Sequence, residues 1–174
     1  MLNVKSELRA FISSTSLDLK EHRRLAMNAC LGCGILPIMM EFEPFPADAL
    51  TVSLKMTRTA DIYIGIFGRR YGYVPEEKNP RNLSITAMEY EWAVRRDIPR
   101  EVFLMADSHL TDQNDWETEQ RGKVMALHER VKAENIVTYF SSPIELREQI
   151  FVRLSAYRAT IGVPTSSLST NFVS

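Results

Sequence analysis

The residues with the strongest claim to chemistry lie between positions 61 and 96, in DIYIGIFG, RRYGYVPEEKNPRN and LSITAMEYEWAVRR. After Gly68, Arg69 and Arg70 can pair phosphate oxygens, and Tyr71 and Tyr73 can stack on a base or ring. The plainer reading of the same loop is solvated arginines with tyrosines packed on a sheet. Thr86 and Glu89, in the run TAME, admit two roles. In one, Thr86 is a helix N-cap and Glu89 its N3 partner, a capping box worth about 1 kcal/mol. In the other, Glu89 on the first turn faces a bound sugar, as nucleophile or as stabiliser of an oxocarbenium-like centre. Ser13, Ser14 and Thr15 close an earlier apolar run with hydroxyls and backbone donors that can face the same ligand.

Other constellations carry less. The glycines at 65, 68 and 72 fit neither a Walker A loop nor GxGxxG. Ser13, Asp107 and His109 all fall at strand ends, but no GxSxG elbow accompanies them. Cys30 and Cys33 form a CxxC at the end of a helix, where the macrodipole does not favour a thiolate. With only three scattered histidines, at 22, 109 and 128, no metal site is expected and the cysteines read as structural.

These residues need elements to hold them. RAFISS reads as a buried strand, followed by a helix through DLKEHRRLAMNACL that Thr15 and Asp18 start and Gly32 and Gly34 stop. ILPIMM is a second strand, and Pro37 within it fits a sheet edge. DIYIGIFG is apolar on both faces, as a central parallel strand is. The next helix should bury Ile85, Met88 and Trp92. REVFLMAD and NIVTYF supply two more strands, separated by a helix with Val124, Leu127 and Val131 inward. Ser142, Pro143 and Glu145 open a last helix lined by Ile150, Leu154, Tyr157 and Ile161. Alternating strands and helices imply a flavodoxin-like α/β sandwich, about five parallel strands in order 2-1-3-4-5 with helices on both faces. The ligand crevice then lies above strands one and three, between FISST and the FGRRYGY loop.

The bulk numbers bound the function. The 174 residues are 45% hydrophobic and 25% charged, with net charge -1, so the chain should fold. That charge gives no field for nucleic acid or an anionic membrane, and the absence of a long apolar run or secretory signal makes a cytoplasmic protein the expectation. Residues 1–161 read as one domain, and 162–174 as a polar linker or tail leading to further domains of a longer parent.

FISSTSLDLKEHRR, EFEPFPA, ADIYIGIFGRRYGYVP and LSITAMEYEWA together resemble the domain of unknown function 4062 family. The family is similar to the TIR-like superfamily and to nucleoside 2-deoxyribosyltransferases, and usually stands ahead of NACHT-type or other STAND modules. In the transferases a T-x-x-E element after the third strand supplies the catalytic glutamate, which the resemblance maps onto Thr86 and Glu89. TIR-type NAD glycohydrolases use a similarly placed glutamate with a serine shortly before it, for which Ser84 is the nearest match. The resemblance therefore implies N-glycosidic chemistry at Glu89 with NAD or a nucleotide as ligand and no required cofactor. The alternative it carries is a non-enzymatic module that signals by self-association or by docking neighbouring domains, with Trp92 and Trp116 as candidate contacts.

Overall fold

The computed structural model describes residues 7–40, 49–110 and 117–161. Trp116 and the expected linker at 162–174 lie outside them. Five strands alternate with five helices: β1 (Leu8–Ser14), α1 (Lys20–Gly32), β2 (Ile35–Ile38), α2 (Ala49–Arg58), β3 (Ile62–Phe67), α3 (Ile85–Arg95), β4 (Arg100–Met105), α4 (Arg121–Glu134), β5 (Val137–Phe140) and α5 (Pro143–Thr160). All pairings are parallel, and the strand order is β2-β1-β3-β4-β5, the flavodoxin-like order the sequence implies. Pro37 lies on the edge strand β2, where its missing N–H has no ladder partner to lose.

Strand β3 is buried along its whole length. Its Ile62, Ile64 and Ile66 join Ala10, Ile12 and Phe103 in a core completed by Ala26, Ala29 and Cys30 of α1 and by Leu146, Ile150 and Leu154 of α5. Tyr63 and Phe67 point the other way, onto Ala87, Tyr90 and Ala93 of α3 and Val124, Leu127 and Val131 of α4. Gly65 keeps that second face open: a Cβ there would sit 2.8 Å from the Tyr63 ring and 2.7 Å from the Phe67 ring. The cysteines are both free and buried, and burial pushes the Cys30 thiol up to about 12, away from nucleophilic use.

Three local expectations change. Helix α1 starts at Lys20 after an N-cap, Leu19, that makes no side-chain bond, so Thr15 and Asp18 bond each other within the preceding loop instead of capping the helix. Helix α3 buries Ile85, Ala87, Tyr90 and Ala93, whereas Met88 and Trp92 are half-buried and Arg96 lies 4.7 Å over the Trp92 ring. The face of α3 turned to the core therefore runs through Ala87, Tyr90 and Ala93, with the Tyr90 ring packed against those of Tyr63 and Phe67. On α5 the inner line is Leu146, Ile150 and Leu154. Its continuation is Arg158, which bonds the Gly34 carbonyl at 3.0 Å, while Ile161 is exposed. The Ser142 cap forms as read, accepting from the Glu145 amide at 3.1 Å with Pro143 in the first turn.

Candidate functional site

A crevice of about 1430 Å³ opens at the carboxyl ends of β1 and β3. Ser14, Thr15, Ser16 and Leu17 form one wall with Lys20, Arg23 and Met27 of α1. Arg70, Gly72, Tyr73 and Val74 form the opposite wall, and Ile85, Thr86 and Glu89 of α3 close it. The crossing from β1 to β3 leaves this gap because α1 and α3 pack on opposite faces of the sheet.

The loop from residue 68 to 84 is long, and short-range bonds shape it. Asn79 donates to the carbonyls of Pro75 and Leu83 at 2.9 and 2.8 Å and accepts from the Leu83 amide at 3.0 Å. Tyr73 O accepts from the Ile85 amide at 2.9 Å, which joins the loop to the start of α3. Gly72 has φ of +90°, and a Cβ there would lie 3.0 Å from Thr15, so the loop passes close against the β1 end only with glycine. Arg81 of the loop and Arg130 of α4 both pair with Glu91 of α3, at 2.5 and 2.7 Å. Arg95, the i+4 residue the sequence suggests for Glu91, stands farther off at 3.7 Å.

Helix α3 begins one residue after Ser84, whose Oγ accepts from the Ala87 amide at 3.2 Å. The N-cap is therefore Ser84 and not Thr86, and Glu89 stands beyond the N3 position. The capping-box reading of Thr86 and Glu89 fails for this reason. Glu89 is instead buried at the floor of the crevice, 4% exposed. Ser13 Oγ of β1 donates to its Oε2 at 2.6 Å, and Ser53 Oγ of α2 donates to its Oε1. Burial raises the carboxyl from an ordinary 4.5 to about 7, against the lowering pull of the two hydroxyls and of Arg23.

The expected hydroxyl residues divide. Ser13 belongs to Glu89; Ser14 Oγ accepts from Arg23 Nη1 at 2.9 Å; Thr15 donates to Asp18. Of these, Ser14 and Thr15 line the crevice. In the loop, Arg70 and Tyr73 face the crevice, and Tyr73 is half-exposed there. Arg69 does not line it: it reaches the carbonyls of Asp107 and His109, each at 3.3 Å. Tyr71 is buried among the α3 and α4 side chains, with its amide bonded to Glu117 at 2.7 Å. Gly68 has Asp18 packed against it, 2.6 Å from where a Cβ would be, and its carbonyl accepts from His128 at 2.9 Å. Ser84 is spent on the helix cap. His109 meets His22 at 2.8 Å between the ring Nε2 atoms, and Ser13 donates to Glu89 instead of to a histidine.

Arg23 and Ser53 escape a reading by motif. Arg23 is buried and donates to the Ser14 carbonyl at 3.2 Å and to the Met40 carbonyl. Ser53 is wholly buried on α2 beside Thr57, whose hydroxyl bonds the Ser53 carbonyl at 2.8 Å. Each stands on the inner stripe of its helix, Arg23 three residues before Ala26 and seven before Cys30. A polar residue on such a stripe is the signal that could have found them.

A family model described as Domain of unknown function (DUF4062) matches residues 9–155. The chain belongs to the DUF4062 family. No curated protein matches it. Among solved structures, the DUF4062 chain is similar to one titled "Structure of the activated Roq1 resistosome directly recognizing the pathogen effector XopQ (TIR domains)". The two share 13% identity and a TM-score of 0.45 over 92% of this chain and 93% of that one.

Among the described residues of the DUF4062 chain, no helix is long and apolar enough to cross a membrane. None of its described His, Cys, Asp and Glu side chains gather in threes as a metal site would need.

Proposed function

We propose that this chain is a TIR-like effector or sensor domain that binds a nucleotide-like ligand in the crevice and hydrolyses its N-glycosidic bond, with NAD as the first substrate to test. The observation that carries the reading is Glu89: a carboxylate buried at the crevice floor, oriented by two hydroxyls and titrating near neutrality. A group with proton affinity near the working pH is suited to take a proton in a transition state. In the proposed step the bond from the ribosyl C1′ to the base nitrogen breaks, and its electron pair leaves with the base. A water oxygen bonds to C1′ and gives its proton to the Glu89 carboxylate, whose charge also faces the oxocarbenium-like centre. Arg70 on the rim supplies positive charge for phosphates, and the Tyr73 ring supplies a surface for stacking.

Purified chain incubated with NAD and followed by separation of free base tests this directly. Glu89→Gln should lower the cleavage rate by about 100-fold or more, the range of general-base losses. Equal rates for wild type and variant, or neither turnover nor binding of NAD and related nucleotides, overturn the reading.

A second reading, self-association without catalysis, is favoured by apolar side chains left uncovered beside the β5 edge and along α5. Ile136, Ile144 and Val152 are 85%, 62% and 64% exposed. Light scattering over a concentration series should then show a mass that rises with concentration and falls back with Val152→Asp. A mass fixed at that of the monomer would dismiss it.

A further inference from the structure

We propose that Ser13 and Ser53 are positioning residues for Glu89, a pair of hydroxyls from separate elements that fix the plane of its carboxylate and set its proton affinity. The inference deepens the reading of Glu89 as the reacting carboxylate, and its titration can be measured whether or not that reading holds. The two serines are 76 and 36 residues from Glu89 in sequence, and meet it only through the fold. Ser13 is 1% exposed and Ser53 not at all. A hydroxyl has one proton to donate, and each of these serines gives it to a different oxygen of the same carboxylate. Rotation of the carboxylate about its terminal torsion breaks both bonds together, so the pair holds one orientation where a single donor would allow several.

The surrounding charges leave the hydroxyls a decisive share. From α1, Arg23 acts on Glu89 through space, and its guanidinium is held by Ser14 and the Met40 carbonyl. From β3, the Tyr63 hydroxyl is buried beside Ser13 and stays neutral, since burial, with the Glu89 charge, outweighs the lowering pull of the Ser13 hydroxyl. On α3 itself, Glu91 is turned to Arg81 and Arg130. Burial raises the Glu89 carboxyl, and the Ser13 and Ser53 bonds are the largest pulls in the opposite direction. Removal of either hydroxyl leaves burial less opposed, so the proton affinity of Glu89 should rise by about tenfold per lost bond.

The experiment follows the glutamate side-chain carboxyl carbons by NMR across a pH series in the wild type, Ser13→Ala, Ser53→Ala and the double variant. The Glu89 signal is identified by its disappearance in Glu89→Gln. Ser53→Cys keeps the volume and a weaker donor, and serves where alanine at this buried position prevents folding. The expected result is a midpoint that rises in each single variant, rises further in the double variant, and takes an intermediate value in Ser53→Cys. A midpoint unchanged in folded Ser13→Ala and Ser53→Ala overturns the proposal. The pH profile of NAD cleavage separates it from the reading it deepens. If the acid limb moves with the midpoint, both stand. If the midpoint moves while no protein cleaves NAD, the serine pair stands and the hydrolase reading falls.

Discussion

Three side chains at the start of α3 divide the work between them. Ser84 caps the helix, Thr86 lines the crevice, and Glu89 sits beneath it with its carboxylate turned to β1 and α2. The division has a thermodynamic signature. Ser84→Ala removes the acceptor of the Ala87 amide in a buried place and should cost about 1 kcal/mol, as lost N-caps do. Thr86 has no capping bond to lose, so Thr86→Ala should cost less than Ser84→Ala, and Ser84→Asp should recover much of the loss. Urea midpoints at constant slope measure all three. A larger loss at Thr86 than at Ser84 would return the cap to Thr86 and contradict the helix start described above.

At the scale of elements, what could be read from the chain is what neighbouring residues determine. The two-sided apolar run in β3, the proline on edge strand β2, and the Ser142–Pro143 start of α5 are each set within a few positions, and each forms as read. The stripe of Val124, Leu127 and Val131 on α4 is legible for the same reason. Helix α3 is not, because its inner stripe of Ala87, Tyr90 and Ala93 is set by ring contacts of Tyr90 with Tyr63 and Phe67 of β3, which lie far off in sequence. The i, i+3, i+7 pattern of Ile85, Met88 and Trp92 satisfies the same helical period and points to the neighbouring face. The position of the crevice is legible, since strand order alone places one over β1 and β3. Its inner contacts are not: Ser53 meets Glu89 across 36 residues and Ser13 across 76, and no local pattern encodes either pairing. Arg69 and Tyr71 show the converse. Their types suit a ligand, yet Tyr71 packs into the core and Arg69 binds the turn after β4, which fixes the loop so that Arg70 and Tyr73 face the crevice.

For the whole molecule, the buried site and a second buried pair pull stability in opposite directions as pH changes. Glu89 holds its proton up to about 7 in the fold but has an ordinary value of 4.5. Its folded affinity is the higher one, so its contribution is full below pH 4.5 and is lost as pH rises through about 7. His22 is driven from 6.5 down to about 4 by burial and by the adjacent His109. Its folded affinity is the lower one, so its contribution is full above 6.5 and is lost as pH falls toward 4. Between 4.5 and 6.5 the two slopes oppose, and each masks the other. Glu89→Gln removes one of them. A glutamine keeps the shape, and the serine hydroxyls can turn to accept from its amide as well as donate to its oxygen. The variant should therefore gain on the wild type from pH 4.5 upward, reaching an advantage of about 3 kcal/mol above pH 7, where the wild type must hold a buried charge. Stability from urea unfolding at a series of pH values gives this difference directly, free of every titration the two proteins share. A residue kept only for the fold would lose stability when replaced, at all pH values. A gain in stability joined to a loss of NAD cleavage would mean that the fold bears the cost of Glu89 for the chemistry of the crevice, and a difference that stays flat from pH 4.5 to 7 would remove the raised proton affinity on which that chemistry depends.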